Sequence, residues 1–116
     1  MSRGYYILDE HHNTKQVSLL EWGRWLERAD TRVAYTKFEC GVWISTVFLG
    51  LDHRFGDKGP PLLFETMVFE MTMEGGGDEM WRYSTWDDAE TGHKAIVRRV
   101  KQKLEKAGLS TAAIAE

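Results

Sequence analysis

Between Val33 and Ser84 the chain carries four strand-like segments whose links are too short to hold a crossover helix. Val33 to Phe38 is β-branched and aromatic, Glu39-Cys40-Gly41 reads as a turn, and Val42 to Leu51 reads as a longer strand. Asp52 to Pro61 is a loop carrying Gly56, Gly59, Pro60 and Pro61. Leu62 to Thr72 is the next strand, and Glu74-Gly75-Gly76-Gly77-Asp78 connects it to a last one over Glu79 to Ser84. A parallel pair needs a connection of about a dozen residues or more, usually a helix, so these segments are expected to form an antiparallel meander.

Two helix starts bracket the meander. Ser18 can cap the amide of Glu21, whose side chain can reach back, with Val17 and Trp22 at the staple positions. Leu19, Trp22, Leu26 and Ala29 repeat at helical spacing, Trp25 widens the stripe, and Gly23 is a candidate for close approach. Thr85 with Asp88 caps a second helix whose stripe is Ala89, His93, Ile96, Val97, Val100, Leu104 and Ala107, stopped by Gly108. Ahead of both lies a strand, Tyr5 to Leu8, ended by Asp9-Glu10-His11-His12-Asn13-Thr14. The expected order is β-α-β-β-β-β-α. It describes a single α+β domain over residues 1–116, an antiparallel sheet with two helices packed on one face, and an alanine-rich tail from Leu109 that frays.

Composition narrows the class. The chain has 116 residues, the size of one domain, and its 42% apolar and 28% charged content is that of a globular protein rather than a disordered one. Val42 to Leu51 is too short to span a bilayer, and Met1 to Tyr6 has no signal-like apolar stretch, so the expectation is an intracellular domain with no membrane association. A single cysteine, Cys40, forbids an intrachain disulfide and any cysteine metal cluster; with no His or Lys beside it, it reads as structural rather than reactive. The net charge of −3 is unevenly spread. Acids crowd Glu65 to Glu90, where Arg82 is the lone base, and bases crowd Lys94 to Lys106. Much of this complements the dipole of the second helix, acids at its start and cations toward its end.

No phosphate-binding loop, dinucleotide glycine pattern, HExxH or GxSxG is present, and no cofactor is implied. The adjacent His11 and His12 read as two solvated rings. The 52–61 loop is the most informative stretch. Asp52 and His53 suit proton transfer or metal ligation, and Arg54 and Lys58 suit an anionic ligand. Against this, Asp52 and Asp57 also suit turns, with Arg54 pairing to one of them. Glu65 falls in the row Leu63, Glu65, Met67 and Phe69, expected to lie under the helices. A carboxylate there needs a partner, so Glu65 is expected to be partly buried and bonded to Arg82, Arg54, His53 or His93. His93, on an apolar helix stripe, reads as a hydrogen-bonded core or rim residue rather than a ligand. Trp22, Trp25, Trp43, Trp81 and Trp86 suit packing as well as base stacking. A nucleic-acid platform needs converging basic residues, and Arg82 is the only base between the Trp-bearing positions 81 and 86, so the sequence argues against nucleic acid.

The stretches Ser45-Thr46-Val47-Phe48-Leu49-Gly50-Leu51-Asp52-His53, Gly59-Pro60-Pro61-Leu62-Leu63-Phe64-Glu65-Thr66-Met67-Val68-Phe69 and Arg82-Tyr83-Ser84-Thr85-Trp86-Asp87-Asp88-Ala89-Glu90-Thr91-Gly92-His93 resemble a family of small proteins encoded by bacteriophages and prophages. The similarity spans roughly positions 43–97. The resemblance implies a host bacterial cytoplasm and an accessory protein that binds a host or phage macromolecule, without supplying catalytic residues. The leading expectation is therefore a non-enzymatic binding module for a protein or small ligand, inhibitors of host defence among such binders. Its contact surface is expected at the 52–61 loop with Arg82, Tyr83 and Trp86, and self-association is left open. The alternative is a small hydrolase or metal-assisted enzyme in which Asp52, His53, Glu65 and His93 converge.

Overall fold

The computed structural model describes residues 4–53, 59–70 and 80–114. Strand β1 (Tyr5–Leu8) and strand β2 (Thr14–Val17) form a hairpin of their own, followed by helix α1 (Leu19–Leu26). Strands β3 (Arg32–Phe38), β4 (Trp43–Phe48), β5 (Phe64–Phe69) and β6 (Met80–Tyr83) form the expected antiparallel meander. Helix α2 (Trp86–Lys106) lies across it, and a short strand β7 (Ala113–Ile114) completes a five-stranded sheet of order β6-β5-β4-β3-β7. The α+β architecture is the one the sequence implies.

Both helix caps form as read: Ser18 Oγ accepts from the Glu21 amide at 3.2 Å and Thr85 Oγ1 from the Asp88 amide at 3.1 Å. The α2 stripe is buried through Ala89, His93, Ile96 and Leu104, with Val97 and Val100 against it, whereas Ala107 is exposed. One cluster gathers Leu8, Phe48, Leu63, Phe64 and Ala89; a second gathers Phe38, Val42, Ile44, Ile96 and Leu104. Trp25 of α1 meets Phe48 edge-on in the first cluster, so α1 packs on the same side of the sheet as α2. Cys40 packs against the second cluster as a small apolar group.

Three local expectations change. Strand β2 was hidden in a polar run because its residues are mostly exposed and show no apolar alternation. The tail does not simply fray: Gly108, at φ +74, ends α2 and turns the chain so that Ala113 and Ile114 pair with Phe38 and Lys37 of β3. Close approach occurs at Gly92 rather than Gly23. A Cβ on Gly92 would strike the Tyr83 ring, while one on Gly23 would meet open space.

The sheet decides which rows are inside. Antiparallel partners share a face, and the register aligns Thr36 with Ile44 and Val68, and Thr46 with Thr66 and Trp81. These residues lie under α2. The alternate row of β5, Glu65, Met67 and Phe69, therefore lies on the opposite face, the reverse of the sequence expectation. The reason is that both β5 rows are largely apolar, and only the register to Ile44 and Phe48 shows which one meets the helix.

Candidate functional site on the uncovered sheet face

The residues singled out in the sequence do not meet in one place. His93 is 4% exposed and closed in by hydroxyls: Nε2 bonds Thr36 Oγ1 at 2.9 Å and Nδ1 bonds Thr46 Oγ1 at 2.8 Å. Thr46 in turn bonds Thr66, so one imidazole ties α2 to β3, β4 and β5. Burial lowers its pKa and keeps it neutral, the form in which one ring nitrogen donates and the other accepts. This is a satisfied core histidine, as the apolar stripe suggested.

Asp52 is also buried, with Oδ1 accepting from the Leu62 amide at 3.1 Å, and the His53 amide donates to Leu62 O at 2.9 Å. Asp52 thus pins together the two ends of the 52–61 loop, the turn role rather than the proton-transfer role. The Arg54 and Asp57 expectations lie outside the described residues. Tyr83 packs its ring on Gly92 in the first core cluster, where burial pushes its phenol pKa up and the Thr66 hydroxyl opposes the rise. Trp86 meets Phe64 edge-on, donates to Glu90 at 2.7 Å and carries the His12 ring stacked at 3.7 Å. His12 is thus held rather than loose. A cleft of about 410 Å³ runs beside this stack, lined by the His11–Thr14 turn and the first residues of α2.

Glu65 finds the first of its expected partners. Its Oε2 accepts from Arg82 Nε at 3.0 Å, across the β5–β6 pair that the register sets directly opposite. The side chains are 14% and 32% exposed, so removing the acid strands a partly solvated cation. That is the regime of about 0.2–1 kcal/mol rather than the 3–5 kcal/mol of a fully buried pair. Because His93 and Glu65 occupy opposite faces of the sheet, the four residues of the enzymatic alternative do not form a joint site. Among the described residues no group of three or more acidic, histidine or cysteine side chains is placed to hold a metal.

What the register does bring together is the face away from α2. One rung reads Arg32, Val47, Glu65 and Arg82; the next reads Tyr35, Ser45, Met67 and Met80; the third reads Lys37, Trp43 and Phe69. Side-chain contacts confirm the shared face. Trp43 and Phe69 stack at 5.1 Å and 14° between planes, and the Arg32 guanidinium sits 4.7 Å from the centre of the Tyr35 ring. None of these residues belongs to either core cluster, and the helices pack on the other side. A β-bulge between Arg32 and Ala34 turns Val33 into the core while leaving Arg32 outward.

Of this surface the sequence reading named Glu65 and Arg82. Trp43 was weighed for packing or stacking and Phe69 was expected under the helices, while Arg32, Tyr35 and Lys37 were missed, although the alternation of Tyr35 with Thr36, and of Trp43 with Ile44, carried the signal. Comparison with family models, with curated proteins and with solved structures finds no match. No described helix is long and apolar enough to cross a membrane.

Proposed function

We propose that this chain is a non-enzymatic binding module of the phage accessory kind, working in the host bacterial cytoplasm, and that its contact surface is the uncovered sheet face. The observation that supports it is the three-rung array of aromatic, methionine and cationic side chains outside both cores. A broad open face suits a macromolecule better than a small ligand. The larger hollow, about 550 Å³ beside the end of α1 and lined by Arg24, Trp25 and Arg28, lies elsewhere. The 52–61 loop keeps a supporting role, since Asp52 holds its ends rather than facing a partner.

The test is affinity capture from bacterial lysate, with bound protein and bound nucleic acid both analysed, comparing the wild type with a Trp43→Ala, Phe69→Ala double variant. A macromolecule retained by the wild type and lost from the folded variant is expected. Equal retention by both removes the face from the proposal.

A further inference from the structure

The uncovered face carries more than apolar area. Arg32, Lys37 and Arg82 stand around Tyr35, Trp43 and Phe69, and Glu65, already paired with Arg82, is the one acid among the described residues of these rungs. Among the described residues of these rungs three cations therefore stand against one carboxylate, on a chain whose total charge is −3. From this charge pattern and the half-buried ring pair outside both cores we infer that the face binds single-stranded nucleic acid, an inference that rests on the face being the contact surface proposed above.

Three physical arguments select this occupant. Stacked Trp43 and Phe69 offer π-surface to an unpaired base, and the Arg32 guanidinium lying on Tyr35 offers a second planar platform. Same-face residues along a strand are about 7 Å apart, the scale of one nucleotide step in an extended strand, so Tyr35 and Lys37 of β3 set a ring and a cation at the interval of base and phosphate. A second copy of the chain fits poorly. Among the described residues, two such faces brought together set six cations against two carboxylates, since each copy contributes Arg32, Lys37 and Arg82 with Glu65. Along its own strand Trp43 has no basic neighbour. The register supplies one from the neighbouring strand, placing Lys37 opposite Trp43.

The experiment titrates the full chain into fluorescein-labelled oligothymidylate and oligouridylate of about twelve nucleotides, with a duplex of equal length as comparison. Binding of the single strands over the duplex is expected, and the stronger of the two oligomers tells DNA from RNA. With Arg32 and Lys37 engaged and Arg82 held by Glu65, log affinity should fall against log salt with a slope of about −1.4. Trp43→Ala and Lys37→Glu should each weaken binding about tenfold or more, within the usual contribution of a stacked base. Lys101→Glu, an equal charge change on the exposed basic side of α2, should leave affinity nearly unchanged. Trp43→Phe keeps a stacking ring and the fold; it should retain affinity but lose the quenching of intrinsic fluorescence by the oligomer. No binding to either single strand overturns the inference, as does an equal loss in Lys101→Glu, which would place the contact on the helix. A protein captured from lysate through the face, with no oligonucleotide binding, overturns this inference while leaving the binding-module reading intact.

Discussion

His93 shows how one residue can set a pH limit on a fold. Its ring is buried, neutral and hydrogen-bonded at both nitrogens, and burial holds its pKa below the ordinary 6.5. The folded chain therefore takes up this proton less readily than the unfolded chain. The sign follows: stability from this site is complete above about pH 6.5 and declines as pH falls below it, until the buried ring itself is protonated. Urea unfolding between pH 7.5 and 5 should show a falling midpoint, with a shallower fall in His93→Gln, which keeps polar groups without the titration. A pH dependence unchanged by His93→Gln would mean that other groups govern acid sensitivity. Asp9 works in the same direction at the surface, through hydrogen bonds rather than burial. The amides of Asn13 and His11 hold its carboxylate below the usual range and fix the β1–β2 turn, where His12 takes φ 64.

At the scale of elements, the two helical glycines are not equivalent. Gly92 lets the Tyr83 ring lie against the backbone of α2, so a methyl group there meets the ring directly. Alanine brings about 1 kcal/mol of helix propensity, but overpacking typically costs about 1–3 kcal/mol. Gly92→Ala should therefore lower the unfolding midpoint. Gly23 in α1 has no neighbour within 4 Å of an added Cβ. Gly23→Ala should collect most of the propensity gain, up to about 1 kcal/mol, and raise the midpoint. Thermal unfolding of both variants checks the pair; a stabilising Gly92→Ala would show that Tyr83 does not need that seat.

At the scale of the whole molecule, the β1–β2 hairpin is a separate sheet whose second strand is mostly exposed, although Leu8 of β1 reaches the first core cluster. It meets the end of the main sheet through the Tyr5–Leu51 bridge and the Tyr6 amide to Gly50 O at 2.8 Å, and meets α2 through the His12–Trp86 stack. Gly50 takes φ +73 at this junction, where a side chain would also strike the Trp22 indole and the Tyr6 carbonyl. Strand β4, by contrast, is paired on both sides and roofed by α2. Native-state hydrogen exchange should therefore release β2 amides through local opening and β4 amides only with global unfolding. Equal protection of β2 and β4 would mean that the hairpin and the sheet open as one cooperative unit.

The amino-acid sequence by itself determined the elements that depend on neighbours along the chain. Ser18 and Thr85 start the helices, Gly108 ends the second, and β-branched and aromatic runs separated by short links make the meander, because capping, propensity and turn formation are local. The stripe through Ala89, His93, Ile96 and Leu104 was legible for the same reason: a helix repeats its own face. Strand β5 was different. Leu63-Glu65-Met67-Phe69 and Phe64-Thr66-Val68 are both apolar enough to be core, and a slip of one residue exchanges them. Only pairing to Ile44, Thr46 and Phe48, and the seating of His93 on Thr36 and Thr46, sent the Phe64 row inward. The candidate site inherits that dependence. Lys37 beside Trp43, Trp43 on Phe69 and Glu65 on Arg82 are cross-strand neighbours, set by register between residues distant in sequence rather than by spacing along any one strand.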